Sequence, residues 1–102
     1  MILCQFIFKP GVYDDEFQRL DAQIDTFAQA LPGYRGVETW YSEDRTVKNV
    51  TYSFETMDDV RALATYPQHL EAKEKNARWY DGYRIVISEV TRSYGDDRLG
   101  AD

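Results

Sequence analysis

Cysteine, histidine and long apolar runs are nearly absent from this sequence, and each shortage excludes a class of protein. The 102-residue chain has a single cysteine, Cys4, so it cannot form a disulfide within itself. It has no apolar run of about 18 residues, so we expect no membrane-spanning helix. Its first residues show neither a charged start nor a small-residue cleavage site, so we expect no signal peptide and a cytoplasmic location.

Basic clusters and the common ligand-binding motifs are also missing. The formal net charge is −6, with twelve Lys and Arg scattered among eighteen acidic residues, whereas nucleic-acid binding needs a clustered positive patch. One histidine, His69, cannot hold a metal ion alone, and no HxH, CxxC or HExxH spacing occurs. No GxGxxG loop marks a nucleotide or flavin site, and no GxSxG motif supports a serine hydrolase. We therefore expect no metal and no bound cofactor.

Aromatic residues, by contrast, are plentiful. Eight Tyr, five Phe and two Trp make up 15% of the chain, and the hydrophobic share of 43% is near that of ordinary globular domains. Large rings supply buried area and line ligand pockets. The length suits one domain, which we predict to span residues 1–95, followed by a polar, flexible tail at 96–102.

Hydrophobic periodicity predicts four strands and three helical segments. An apolar stripe that follows Asp14 indicates an amphipathic first helix, with Asp21 and Asp25 on its polar face. Thr56 and Asp59 resemble a capping box that opens a short second helix. Alternating apolar residues predict strands at 2–9, 34–42, 46–55 and 83–94. The helices are predicted at about 14–31, 57–66 and 67–80.

The order β-α-β-β-α-β is typical of the ferredoxin-like α+β fold, with a four-stranded antiparallel sheet. Helices cover only one face of such a sheet, yet the first and last predicted strands are apolar on both faces. A second copy of the same sheet is the simplest cover for the bare face. The sequence therefore predicts a homodimer whose sheets pack together as a dimeric α+β barrel.

The third helical segment carries a mixed polar and aromatic surface. Helical spacing puts His69, Asn76 and Trp79 in one stripe, with Lys73 and Tyr80 in the next. Polar groups among aromatic rings are what a pocket for a small hydrophobic or aromatic ligand needs. His69 titrates near neutral pH, so it could take a proton from a phenol. In the alternative interpretation, His69 and Lys73 lie at a helix edge and Trp79 packs in the core.

Further candidates lie on the predicted strands. Arg84 could hold an anionic or enolate oxygen, or simply be solvated at a strand start. Tyr83 lies beside it, close to the end of the third helical segment. Tyr52, Phe54 and Trp40 could face either the helices or a dimer partner, because a one-residue slip in register exchanges the two faces.

This layout resembles the antibiotic biosynthesis monooxygenase-like family of dimeric α+β barrel proteins. The resemblance covers residues 1–95 and is carried by residues 33–38 (GYRGVE), 67–72 (PQHLEA) and 78–80 (RWY), with Tyr83 and Tyr94 after them. It implies a pocket between the sheet and the helices of each subunit. It also implies that the catalytic residues are His69, Trp79 and Arg84. The pocket-lining residues would be Tyr80, Lys73, Asn76, Tyr83, Tyr52 and Phe54.

For the enzymes of this family, the resemblance implies oxidation of a polyphenolic or enolisable substrate by O₂, with electrons from the substrate's own enolate and no bound metal or flavin. A non-catalytic small-molecule-binding or accessory homodimer is the alternative. Haem degradation is a third possibility, but haem-degrading members pair a strand-1 Asn with a Trp and a His in the second helical region. The first predicted strand here has no Asn, and residues 57–66 have no Trp. Phe54 also stands where many members have Trp.

Overall fold

The computed structural model describes residues 1–99, so the end of the predicted tail, residues 100–102, lies outside the described part. Residues 96–99 belong to no helix or strand. In order, the elements are β1 (Ile2–Pro10), α1 (Asp15–Ala30), β2 (Tyr34–Tyr41), β3 (Lys48–Phe54), α2 (Met57–Thr65), α3 (Pro67–Glu74), a 3₁₀ turn (Asn76–Arg78) and β4 (Tyr80–Glu89). The predicted ferredoxin-like α+β layout is confirmed.

The four strands form one antiparallel sheet in the order β2-β3-β1-β4. In the central strand β1, Cys4 stands opposite Tyr52 of β3 on one side and opposite Ile87 of β4 on the other. Directly paired residues point to the same face of a sheet. These registers therefore decide which side chains meet the helices.

The helices pack on one face of this sheet and leave the other without a helix. The buried core joins strand residues to helix residues, namely Ile2, Cys4, Tyr52 and Phe54 to Ala28, Val60 and Leu63. Tyr52 and Phe54 thus face the helices. Trp40 pairs with Asn49 on the opposite, helix-free face and is 63% exposed. The strand pairing therefore decides which sheet face Trp40, Tyr52 and Phe54 occupy, which the sequence alone could not.

An acidic cap starts α1. The Asp14 carboxylate accepts the backbone N–H of Phe17 at 2.8 Å, and Asp15 and Glu16 place negative charge in the first turn. Both arrangements favour a helix N-terminus. The helix ends shortly before Pro32, which has no N–H to continue it. None of the helices within residues 1–99 is long and apolar enough to cross a membrane.

Asp59 ties the start of α2 to the turn before β2. Its buried carboxylate accepts from the backbone N–H and the hydroxyl of Thr56, at 3.3 and 2.9 Å, and from the N–H of Gly33 at 3.1 Å. The capping box predicted at Thr56 and Asp59 is confirmed. A Cβ on Gly33 would lie 2.0 Å from Asp59 Oδ2, so this close approach requires glycine.

The predicted third helix is wrong in length. α3 ends at Glu74, and the backbone leaves the helical region at Lys75, with φ −100° and ψ 7°. Tyr80 is already the first residue of β4, which ends at Glu89, so the predicted strand at 83–94 is displaced. After this early end, the Arg78 guanidinium contacts carboxylates at the start of α1, at 3.1 and 3.2 Å, instead of Glu74 one helical turn away, as the predicted longer helix would require.

Candidate functional site

A cavity of about 380 Å³ opens between α1, α3 and the helix-facing side of the sheet. Aliphatic and aromatic side chains form most of its wall, as in pockets for apolar, ring-shaped molecules. The rings that line it are Phe6, Phe8, Tyr13, Phe17, Tyr52, Tyr80 and Tyr83. The charged and polar side chains on the helix-facing wall are Asp21, Asp25, Thr39, Lys48, His69, Lys73 and Asn76.

His69, on α3, is held in one tautomer. Its Nδ1 lies 3.0 Å from the backbone carbonyl oxygen of Leu63. A carbonyl can only accept, so Nδ1 carries the proton and Nε2 of the neutral ring is an acceptor. Desolvation lowers the pKa of His69; the bond to Leu63 opposes this shift and the charge of Lys73 adds to it. The ring packs edge-on against Phe6, with centroids 5.8 Å apart. His69 therefore offers the cavity a proton acceptor.

A second polar pair joins β3 to α1 across the cavity wall. The Tyr52 hydroxyl donates to Asp25 Oδ1 at 2.7 Å, and the Gln29 amide donates to Asp25 Oδ2 at 2.7 Å. Burial and the hydrogen bond to this carboxylate raise the pKa of Tyr52 far above the usual range of a phenol. The phenol therefore stays protonated and keeps donating to Asp25.

Asp21 lies one helical turn before Asp25 and borders the same cavity. Desolvation by the cavity wall raises the pKa of its carboxyl, although the residue as a whole is exposed; Lys48 opposes this shift and Asp25 adds to it. The buried hydroxyl of nearby Tyr13 has no hydrogen-bond partner within residues 1–99. Desolvation and the charge of Asp21 raise the pKa of the Tyr13 phenol.

Asp21 and Asp25, predicted on the polar face of α1, both border the cavity; Asp21 is nevertheless exposed as a whole, and Asp25 is half-buried. The sequence held a signal that could have found them. A spacing of four residues puts both acids on one helical row, and Phe17 precedes Asp21 in the same row. An acidic row that starts at an aromatic residue runs along the edge of the apolar stripe, where a cavity would form.

The structure brings several other predicted residues to the cavity. Tyr80 packs its ring against Phe8 with centroids 4.6 Å apart, and burial raises the pKa of its phenol. The Asn76 amide donates to the backbone oxygen of Lys73 at 2.6 Å. Tyr83 is 53% exposed, so it lies at the rim. These residues, with His69 and Tyr52, form one surface.

Trp79, Phe54 and Arg84 are placed elsewhere. Trp79 is 1% exposed and its Nε1 donates to Asp14 Oδ1 at 3.0 Å, which agrees with the interpretation that it packs in the core. Phe54 is fully buried in the core cluster. Arg84 borders the cavity where β4 passes, but its pairing with Ile7 directs its side chain to the helix-free face. The structure thus separates these three from the polar groups of the cavity.

An ion-pair cluster joins α1 to the end of α3. Lys75 contacts Glu16 and, at 3.1 Å, Glu71, while Arg78 contacts Asp14 at 3.2 Å and Glu16 at 3.1 Å. We call these five residues the α1–α3 ion-pair cluster. α3 has no buried residue, and the cluster joins its end to α1 in addition to the contacts of His69 with Leu63 and Phe6.

Residues 1–99 hold no group of three His, Cys, Asp or Glu side chains that could bind a metal ion. What the cavity does offer is proton acceptors, at His69 and the two α1 carboxylates, and cationic donors at Lys48 and Lys73.

Several solved structures share this ferredoxin-like fold. SnoaB, a cofactor-independent oxygenase from Streptomyces nogalater, is similar with a TM-score of 0.71 and 12% identity, over 93% of this chain and 97% of that one. A Nitrosomonas europaea protein, provisionally described as an antibiotic biosynthesis monooxygenase, has a TM-score of 0.67 and 17% identity, over 90% and 100%. A dimeric ferredoxin-like protein of unknown function from Thermobifida fusca has a TM-score of 0.61 and 16% identity, over 87% and 90%.

No family model matches the chain, and no curated protein matches it. At these low identities the similarities show a shared fold. The resemblance to antibiotic biosynthesis monooxygenase-like proteins that the sequence predicts is confirmed at that level.

Proposed function

We propose that this chain is a cofactor-independent monooxygenase that oxidises a small hydroxylated aromatic or enolisable molecule with O₂. The observation that carries the proposal is His69, a neutral imidazole whose Nε2 is available as a base inside a cavity walled by aromatic rings. A similar fold in SnoaB, which is described as a cofactor-independent oxygenase, supports it.

The reaction needs one proton acceptor and an organised site. Nε2 of His69 takes the phenolic proton of the substrate, and the resulting enolate supplies electrons to O₂. One oxygen atom bonds to the ring carbon para or ortho to the enolate oxygen, and the O–O bond breaks. A phenol with one hydrogen on that carbon then gives a quinone and one water molecule, which balances atoms and electrons. The cavity contributes orientation, and the cation of Lys73 stabilises the developing negative charge.

The test is oxygen consumption by purified protein with an anthrone or a naphthol, followed with an oxygen electrode. General base catalysis is worth about 10²–10⁴-fold, so His69→Gln should slow uptake by at least about 100-fold. Leu70→Ala, at the exposed neighbouring position, is the matched control and should retain the full rate. Equal rates in wild type and His69→Gln, or no uptake with a broad panel of phenols, would contradict the proposal. Tight binding without uptake would support the non-catalytic alternative.

We further propose that the chain acts as a homodimer through its helix-free sheet face. Leu3 and Ile7 of β1 and Val86 of β4 lie on that face, together with the exposed Trp40. An apolar sheet surface of this kind is usually covered by a second subunit, and the Thermobifida fusca neighbour is described as dimeric. Light scattering at micromolar concentration should return twice the 11.9 kDa mass of the chain. The monomer mass would refute the dimer.

A further inference from the structure

The cavity has a second polar end whose orientation is fixed. The Asp25 carboxylate is held from both sides, by the Tyr52 hydroxyl on Oδ1 and the Gln29 amide on Oδ2. Tyr52 is 8% exposed and belongs to the buried core, so the group that aligns Asp25 cannot easily move. A carboxylate fixed in this way is a preorganised binding group rather than a freely rotating surface acid.

At this end of the cavity the Asp25–Tyr52 pair can accept hydrogen bonds but cannot donate them, whereas Lys48, which acts on Asp21, can donate. Tyr52 has one proton and gives it to Asp25, which leaves only lone pairs on the phenol oxygen. A carboxylate accepts through about four lone-pair sites, of which Tyr52 and Gln29 occupy two. Asp21, one helical turn away, adds a further carboxylate to the same wall. A ligand group placed against Asp25 must therefore bring its own N–H or O–H.

The base at the other end makes the same demand. Nε2 of His69 is an acceptor, because the proton of the neutral ring is on Nδ1. The Phe6 ring packs edge-on against both His69 and Tyr52, with centroids 5.8 and 6.0 Å away. An apolar ring thus lies between two acceptor ends. A flat molecule lying along Phe6 would meet an acceptor at each end.

We propose that the cavity selects an aromatic ligand with a hydroxyl group at each end, one donating to His69 and the other to Asp25. Asp25 is then the residue that determines specificity for the second hydroxyl. A ligand with a carboxylate or a methoxy group in that place would set two acceptors against each other. The proposal deepens the proposed function and rests on it for the role of His69, although binding alone tests it.

Binding should be measured without oxygen, by titration calorimetry with 2,6-dihydroxynaphthalene, 2-naphthol and 6-methoxy-2-naphthol. Wild type should bind the diol about tenfold more tightly than either single-hydroxyl probe, since hydrogen bonds to charged groups are the strong ones. Asp25→Asn should reduce this preference to less than threefold by weakening the diol alone. Asp15→Asn, the same change at an exposed position outside the cavity on the same helix, should keep the full preference.

Tyr52→Phe provides a second variant in case Asp25→Asn unfolds, and circular dichroism checks both. Without its phenol, Asp25 loses one anchor and the preference for the diol should again fall. Three results would each overturn the inference. Wild type could bind the diol and 2-naphthol equally well, both variants could keep the full preference, or no probe could bind. Oxygen uptake is measured separately. Selective binding without uptake would contradict the proposed monooxygenase activity but support the selection of two hydroxyl groups. Uptake without selective binding would support the monooxygenase activity and contradict the selection.

Discussion

Replacing Trp79 with Phe tests whether Trp79 stabilises the fold or takes part in catalysis. Trp79 is 1% exposed, and its indole donates one hydrogen bond, to Asp14 at 3.0 Å. The change removes two buried ring carbons, worth about 0.8 kcal/mol each by the buried-methylene scale, and a hydrogen bond worth about 1 kcal/mol. Asp14 still accepts from Phe17 and Arg78, so no unsatisfied group adds a penalty. The free energy of unfolding should fall by about 2–3 kcal/mol.

Urea denaturation followed by circular dichroism would measure this loss, with oxygen uptake measured well below the melting temperature. The rate per folded molecule should stay within about twofold of wild type, because a side chain outside the cavity does not touch the substrate. Val12→Ala, a truncation at an 83% exposed residue outside both the cavity and the sheet, is the control and should alter stability by less than about 0.5 kcal/mol. A stable Trp79→Phe protein whose turnover dropped about 100-fold would refute this reasoning and make Trp79 catalytic.

Three shorter predictions follow. Burial lowers the pKa of His69 below its ordinary 6.5, so the base form should be present at neutral pH. Oxygen uptake should be flat above pH 7 and fall with acidification. A midpoint of this pH profile above 7 would contradict the prediction. Gly33→Ala would push a Cβ into the Asp59 carboxylate, so the free energy of unfolding measured by urea denaturation should fall by about 3 kcal/mol. A loss of less than about 1 kcal/mol would contradict this prediction. Tyr13→Phe removes a buried hydroxyl that has no hydrogen-bond partner in the described part of the chain, so thermal denaturation should show unchanged or slightly raised stability; a clear decrease would show that the hydroxyl makes a stabilising hydrogen bond.

The regular elements could be predicted because local pattern decides them. Alternation in β3 and the apolar stripe of α1 identify both elements to within a few residues of their ends. The end of α3 could not be predicted in this way. Helical spacing pairs Glu74 with Arg78, whereas in the structure Arg78 contacts acids more than 60 positions away in sequence. Contacts between distant segments leave no mark on local periodicity.

In the candidate site, too, residues placed by local spacing could be predicted, and residues placed by contacts between distant segments could not. His69 lies on a short helix with few apolar neighbours in sequence, so its polar and aromatic surroundings were visible from spacing alone. Asp25 looked like an ordinary solvated acid, because its partner Tyr52 is 27 positions away on another element. Helical spacing predicts that Trp79 lies beside His69, and the family resemblance adds Arg84 to them. A helix that ends early and a strand that alternates sides turn them away from the cavity.

The α1–α3 ion-pair cluster has a consequence for how the cavity exchanges its contents. α3 buries none of its residues, while the sheet holds the core, so we expect α3 to open locally while the core stays folded. Salt screens partly exposed ion pairs but hardly affects buried apolar contacts. Added salt should therefore speed amide hydrogen exchange in α3 and leave β1 unchanged. The residence time of a bound molecule would then depend on ionic strength even when the molecule itself carries no charge.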